Sequence, residues 1–327
     1  MRRLIWLAVC LLIGATAFVG WQVSVPVQPS AAVEVEIPWG ASSSMIGRVL
    51  AGQGVIDSAL LFRAVARVSG KAERLQSGFY RFSEPSSLLE VLLRLHRGDV
   101  MAFQVTVPEG LRTDEILALL ARETHAGLKD WQTALTALLE GQESEGVLLP
   151  ETYSYHKPVQ PSKLLAEMLA AQKQLIEGLK QVDMDESNLR AMASIIEKET
   201  SLDEERPLVS AVIHNRLERG MRLQMDPTVI YGLWREDGAF SGNLRRADLA
   251  RDTPWNTYTR PGLPPTPIGN PGRASLLAAA HPADVDYLYF VANGMGGHVF
   301  ASDFEQHSQN VRRWLVIERR TGGGRGE

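Results

Sequence analysis

The first third of the chain switches repeatedly between the two-residue period of a strand and the three-to-four-residue period of a helix. Serines precede the helical segments and Gly98 ends the last of them, as capping residues do. In chain order the pattern predicts a strand at 33–38, a helix after Gly40, a helix at 59–68, a strand at 77–82 and a helix at 86–99. These segments together predict a small α/β subdomain over residues 33–100.

The rest of the chain carries mostly the helical period. Apolar positions recur every three to four residues at 114–121 and 163–179, whereas 148–155 is typical of a loop near a strand. Residues 286–302 are two apolar runs joined by a glycine-rich turn, which predicts a β-hairpin. We therefore predict an α+β protein in which residues 101–318 form a larger, mainly helical domain with a C-terminal β-hairpin.

The two ends of the chain differ from this pattern. Arg2 and Arg3 precede an uncharged apolar run over residues 4–21, which is long enough to span a bilayer. The positive-inside tendency then predicts a transmembrane helix within residues 1–26, with the N-terminus in the cytoplasm and the remainder exported. A secretory signal cleaved near residues 15–17 is the alternative, but apolar residues continue past that point. The glycine-rich tail, 319–327, is predicted to be disordered.

One helical segment ends in charged residues. Taking about 100° per residue, one stripe of this helix holds Leu189, Met192, Ala193 and Ile196. Glu197 and Glu199 lie on the two shoulders of that stripe, where a carboxyl is partly desolvated and its pKa rises towards the range of a general acid. The spacing does not separate the two glutamates, and solvated charges at a helix end would give the same pattern.

Composition and charge remove several classes of function. The formal charge is −4, from 34 Lys+Arg and 38 Asp+Glu, and the absence of a long basic run argues against a nucleic-acid-binding protein. Cys10 is the only cysteine, so neither an intramolecular disulfide nor a Cys-based metal site can form. The C-terminal histidines, His281, His298 and His307, lack the spacing of metal ligands. We predict no metal and no cofactor.

Two further segments carry polar residues in unusual settings. Asp226 stands directly before Pro227, an arrangement typical of a helix N-cap, so capping is the simpler interpretation of this carboxylate. Residues 252–272 hold Asn256 and Tyr258 in a proline- and glycine-rich frame that excludes a helix or an interior strand. Aromatic faces and amide groups on a stiff loop suit a carbohydrate, although a structural connection could have the same composition.

Six motifs, in order, closely resemble the endolytic murein transglycosylase family of bacteria. They are ASIIEKET at 193–200, NRL at 215–217, MRLQMDPTVIYG at 221–232, NTYTRPGLPPTPIGNPG at 256–272, AAAHPA at 278–283 and YLYFVANGMGGHVF at 287–300. The likeness spans about residues 75–315 and implies a membrane-anchored protein with a lysin-motif-like subdomain before the catalytic domain. The order of elements in residues 33–100 resembles such a module, which grips glycans containing N-acetylglucosamine; a plain spacer fits equally well.

The resemblance implies a lytic cut in peptidoglycan glycan strands. The essential glutamate of the family maps onto Glu197, which would protonate the oxygen between N-acetylmuramic acid and N-acetylglucosamine. As a carboxylate it would then take the proton of the muramoyl C6 hydroxyl, so that a 1,6-anhydro ring closes without water and no second nucleophilic carboxylate is needed. Candidates for orienting the acid or holding sugar hydroxyls are Glu199, Gln224, Asp226, Asn256 and Tyr258.

The same resemblance implies a location and partners. It places the catalytic domain on the periplasmic side of the inner membrane, with nascent glycan strands as substrate, peptidoglycan synthases as partners and strand termination as the outcome. Two alternatives remain open. A glycoside hydrolase would pair Glu197 with Asp226 or Glu199 as base or nucleophile, and a glycan-binding scaffold of the wall-synthesis machinery would keep the same fold without catalysis.

Overall fold

The structure is a computed structural model that describes residues 2–29, 31–179, 184–240 and 242–320. The chain divides into two compact units. The first unit comprises Met1–Gln104 and Ser154–Gln160, and the second comprises Val105–Tyr153 and Pro161–Glu327. The predicted disordered tail, 319–327, lies outside the described residues from 321 onwards.

The first unit is a two-stranded sheet covered by short helices. Its elements are α1 (Arg2–Ser24), β1 (Val33–Ile37), α2 (Ser43–Gly52), α3 (Ala59–Val68), β2 (Gly78–Phe82) and α4 (Leu88–Arg97). Strands β1 and β2 are antiparallel, with Val33 opposite Phe82, and their alternate residues enter a core that includes Phe62, Tyr80 and Leu92. Serine side chains cap α2, α3 and α4, and Gly98 ends α4 in the left-handed conformation. The element order predicted for residues 33–100 is confirmed.

The predicted transmembrane anchor is not supported by the structure. Residues Arg2–Ser24 do form helix α1. Among the described residues, however, no helix has the length and apolar character that a membrane crossing requires. The anchor is therefore a prediction from the sequence alone.

The second unit is mainly helical, as predicted. The next elements are β3 (Phe103–Thr106), α5 (Thr113–Thr124), α6 (Leu128–Leu139), β4 (Thr152–Tyr155), α7 (Pro161–Gly178), α8 (Glu186–Glu199), α9 (Arg206–Glu218), α10 (Asp226–Asp237), α11 (Arg246–Ala250), α12 (Arg273–Ala280), β5 (Tyr289–Ala292), β6 (His298–Ala301) and α13 (Phe304–Arg320). Strands β3 and β4 pair with each other, and β5 and β6 form the predicted antiparallel hairpin. The pairing of β4 corrects the prediction of a loop at 148–155, because its register depends on a strand some fifty residues earlier.

Helix α8 lies in the core of the second unit. It packs against α9, α10 and α12, and residues 191–196 are all buried. The predicted buried face was therefore too narrow, since neighbours cover this part of the helix on several sides. Side chains emerge from the core at both ends of the helix, at residues 186–188 and from Glu197 to Glu199. The structure of the second unit thus presents the two candidate glutamates at the edge of its core.

Candidate active site

The two glutamates at the end of α8 have different surroundings. Glu197 and Glu199 are two residues apart, which places their side chains about 200° apart around the helix axis. They therefore contact different neighbours. These neighbours, rather than the helix itself, distinguish the two carboxyl groups.

Glu197 is enclosed in an ion-pair network. Its side chain is only 7% exposed, Arg206 Nη2 lies 3.5 Å from its Oε1, and the N–H of Gly272 donates to its Oε2 at 2.9 Å. Gly110 packs against the Glu197 side chain at a positive φ of 74°, a conformation that favours glycine. The Glu197 carboxylate is thus held between a buried cation and a backbone amide.

Arg206 connects Glu197 to the start of α9. Its guanidinium forms an ion pair with Asp203 and lies 3.8 Å from Glu109, and its Nε donates to the hydroxyl of Ser275 at 3.1 Å. The Arg206 side chain is 6% exposed. A buried arginine of this kind requires its anionic partners, because burying an unpaired charge is costly. Glu197 is one of these anionic partners.

Glu199 has no such partner. Within the described part of the chain, no hydrogen bond or ion pair reaches its carboxyl group. Burial and the nearby negative charge of Asp226 raise the pKa of Glu199 to about 8, although the charge of Arg216 acts in the opposite direction. At neutral pH most of the Glu199 carboxyl therefore carries its proton, as a general acid must.

A carboxylate and a phenol lie beside Glu199. The hydroxyl of Tyr258 donates to Oδ1 of Asp226 at 2.5 Å. Burial is the larger cause of the raised pKa of Tyr258, and this hydrogen bond raises it further. Asp226 is the first residue of α10, whose N-cap is Met225, so the predicted capping role of Asp226 is wrong. Pro227, the second residue of the helix, has no N–H that a capping side chain could bond. The Asp226 carboxylate accepts a hydrogen bond from Tyr258 instead.

Arg216 is a functional candidate that the sequence did not reveal. It lies on α9, is 8% exposed, and donates to the carbonyl oxygens of Leu288 at 2.6 Å and Leu223 at 2.6 Å. Among the described residues no carboxylate forms an ion pair with it. Its charge lowers the pKa of Glu199 and would stabilise that carboxylate after proton donation. Arg216 belongs to the motif NRL, but nothing in the local pattern distinguishes a buried arginine from a surface one.

The remaining predicted site residues divide into one exposed and one buried. Gln224 is exposed and has a left-handed φ of 54°, a strained conformation for a residue other than glycine. Asn256 is fully buried. Its amide donates to the carbonyls of Leu249 and Arg251, and its Oδ1 accepts the N–H of Tyr258 at 2.8 Å. These contacts give Asn256 the role of fixing the loop that carries Tyr258, and they leave its side chain no group for a sugar.

A buried carboxylate fixes the residue after Glu199. Thr200 ends α8 and its hydroxyl donates to Oε2 of Glu205 at 2.9 Å. The same carboxylate accepts the backbone N–H of His298 at 2.6 Å and lies 2.7 Å from its ring Nδ1. Burial opposes the charge of Glu205, but the hydrogen bonds from His298 and Thr200 lower its pKa overall. Glu205 therefore joins the end of α8 to the β5–β6 hairpin and restricts the position of Glu199.

Together these contacts define a general-acid site on a mainly helical unit, with a neutral carboxyl, a buried cation and a tyrosine–aspartate pair around it. Residues 35–313 match the YceG-like family, and the chain belongs to that family. The family-level recognition made from the motifs is confirmed.

Individual relatives agree with this assignment. The chain is 31% identical to an endolytic murein transglycosylase of Bacillus subtilis, over 93% of this chain and 91% of that protein. It is 28% identical to an endolytic murein transglycosylase of Streptococcus pneumoniae, over 85% of this chain and 58% of that protein. A crystal structure of a yceG-like protein from Listeria monocytogenes is similar, with a TM-score of 0.55, 30% identity, and coverage of 85% of this chain and 98% of that one.

Proposed function

We propose that the chain is an endolytic murein transglycosylase, a lyase that cuts peptidoglycan glycan strands, and that Glu199 is its acid and base. The names of the relatives supply the substrate class. The observation that carries the residue assignment is the raised pKa of Glu199, about 8, in a carboxyl that forms no ion pair with any described residue. Of the two glutamates that the helical pattern left unresolved, Glu199 has the protonation state that the chemistry needs.

The first step of the proposed reaction is proton donation. Neutral Glu199 protonates the oxygen that links C1 of N-acetylmuramic acid to N-acetylglucosamine, and the C1–O bond breaks while positive charge develops on the muramoyl ring. The bond electrons leave with the protonated oxygen as the new hydroxyl of N-acetylglucosamine. Glu199 becomes a carboxylate, which the charge of Arg216 stabilises.

The second step closes the ring and restores the enzyme. The Glu199 carboxylate takes the proton of the muramoyl C6 hydroxyl, and the C6 oxygen bonds to C1 to form the 1,6-anhydro ring. Water is neither consumed nor released, and Glu199 ends in its protonated starting state. Asp226, held by Tyr258 at 2.5 Å, acts through its charge, which keeps the pKa of Glu199 high.

This assignment revises the role of Glu197. The family resemblance mapped the essential glutamate onto Glu197, whereas the geometry gives that residue to the Arg206 network. The buried Arg206 occupies one side of the Glu197 carboxylate, whereas no side chain among the described residues bonds to Glu199 in this way. We propose Glu199 as the acid and base, and the catalytic role that the family resemblance implies for Glu197 stays a prediction, which variants of both residues test.

The chain ends of the products test the reaction type. Digestion of purified glycan strands in water enriched in oxygen-18 is expected to give 1,6-anhydromuramoyl ends by mass spectrometry, without incorporation of the label. Reducing ends that carry oxygen-18 would instead indicate a hydrolase, with Asp226 as the base or nucleophile. Intact strands after treatment with folded protein would favour a glycan-binding scaffold.

The proposed setting is the growing cell wall. A cut within a newly made strand would end its elongation, and the enzyme would then work beside peptidoglycan synthases. Placement at the inner membrane rests on the apolar run at residues 4–21. Recovery of the full-length protein in the membrane fraction, and its release by detergent but not by salt, would support that placement.

A further inference from the structure

The first unit contains a hollow that the proposed reaction does not use. Its volume is about 940 Å³, and it is lined by residues 37–44, by one face of α3 and by the segment 70–77. Arg63, Arg67 and Arg74 line it, and Trp39 stands at it with 89% of its surface exposed. Every residue of this arginine hollow belongs to the first unit.

The three arginines lack partners. Within the described residues, none of them forms a hydrogen bond or an ion pair through its side chain. Arg63 and Arg67 are one helical turn apart on α3, a spacing at which like charges repel and destabilise a helix. Glu73 is the only acidic residue among the described residues that line the hollow. The hollow therefore carries a net positive charge that the first unit does not neutralise.

Other arginines of the same unit are paired differently. Arg97 forms an ion pair with Asp99 at 3.2 Å, and Arg94 lies over the ring of Phe82 and donates to the carbonyl of Arg81. Such partners are not general among the described arginines of this unit, because Arg48 and Arg81 lack them as well. Arg63, Arg67 and Arg74 differ from these two because they line one hollow together, beside the exposed Trp39.

We propose that the arginine hollow binds a phosphate group, as a phosphodiester or a pyrophosphate, with the arginines contacting its oxygens and Trp39 contacting an adjoining apolar or sugar moiety. Guanidinium groups present a planar pair of donors that matches phosphate oxygens, and such charge-assisted hydrogen bonds are strong. A neutral amino-sugar chain would need hydrogen-bonding groups but no excess of positive charge. The phosphate could belong to a lipid or to a soluble ligand, and the proposal does not depend on the catalytic role of Glu199.

The test uses the full chain and two matched triple variants. Arg63, Arg67 and Arg74 are replaced by glutamine in one variant, and Arg48, Arg81 and Arg97, which are exposed in the same unit but do not line the hollow, are replaced in the other. Inorganic pyrophosphate is titrated into each protein by calorimetry, after thermal unfolding has shown that all three are folded. We expect the hollow variant to bind pyrophosphate at least about tenfold more weakly than wild type, and the control to bind within about twofold.

A second arm identifies the source of the phosphate. Flotation measures the binding of the three proteins to vesicles of phosphatidylcholine alone or with added phosphatidylglycerol. Any contribution of α1 to this binding is the same in all three proteins, because α1 is unchanged. If phosphatidylglycerol increases vesicle binding by wild type and the hollow variant loses this increase, the ligand is a lipid phosphate. If the variant loses only pyrophosphate binding, the ligand is a soluble phosphate. Equal binding of both probes by wild type and hollow variant would overturn the proposal. So would wild-type binding of uncharged N-acetylglucosamine oligomers alone.

Discussion

Replacing Glu199 by glutamine is expected to abolish glycan cleavage while the protein stays folded. The amide keeps the shape of the neutral carboxyl but has no acidic proton to donate, so both proton transfers are lost. Loss of a general acid lowers rates by about 10²–10⁴-fold, and the loss is larger when the same group also acts as the base. The measurement is the rate of release of 1,6-anhydromuramoyl ends from purified strands.

The stability of the same variant provides an internal check. The pKa of Glu199 is raised in the folded protein, so folding takes up a proton above the ordinary carboxyl pKa, and stability falls as the pH rises from there towards 8. Glu199→Gln removes this proton uptake and should leave the protein as stable as wild type, or more stable, at pH 7. Cleavage at the wild-type rate by this folded variant would refute the assignment.

Replacing Glu197 by glutamine is expected to lower the stability of the protein and to leave glycan cleavage intact. The substitution removes the partner of the buried Arg206 on α8, and because Asp203 and Glu109 still compensate part of its charge, we expect a cost of about 1–3 kcal/mol. The remaining folded protein should retain cleavage, because Glu199 and its neighbours are unchanged. Urea unfolding at pH 7 measures the stability, and the cleavage rate per folded molecule measures the chemistry.

A double variant separates the ion pair from other effects. Arg206→Met should also destabilise the protein, and the combination with Glu197→Gln should cost less than the sum of the two single changes, since the pair is already broken. Additive costs would contradict the pairing. Loss of cleavage in Glu197→Gln with unchanged stability would return the catalytic role to Glu197.

Most helices and strands could be predicted because their signals are local. Ser42, Ser58 and Ser87 cap helices, and Gly98 ends one in a left-handed conformation, so their positions follow from the backbone chemistry of a few neighbouring residues. The glycine-rich turn of the hairpin is equally local. Helices α6, α11, α12 and α13 and strand β4 were missed. The strand is defined by its pairing with β3, which no short window of sequence records.

The division of labour between the two glutamates could not be predicted from the helix. Glu197 acquires its role from Arg206, nine residues later, and from Gly272, seventy-five residues later. Glu199 acquires its raised pKa from burial and from Asp226, which belongs to another helix. The helical wheel placed both residues correctly at the edge of the buried face, but only their tertiary neighbours distinguish the two carboxyl groups.

Asn256 and Arg216 show the same dependence on tertiary contacts. The stiff loop at 252–272 suggested a carbohydrate contact at Asn256, yet that side chain is buried and bonded to the loop backbone. Arg216 gave no signal, although the carbonyls of Leu223 and Leu288 hold it in the interior. Residue type and loop composition indicated a carbohydrate-binding site. Burial and tertiary hydrogen bonds determine which side chains still have a polar group available for a ligand.

The pH dependence of kcat/KM tests the central claim most directly, because it reports the protonation state of the acid in the free enzyme. Cleavage of soluble glycan strands by the wild-type protein should be nearly constant through neutral pH and fall as Glu199 loses its proton, with a midpoint near its pKa of about 8. A fall centred at about pH 4–5, where an ordinary carboxyl titrates, would show that the acid is not the desolvated Glu199.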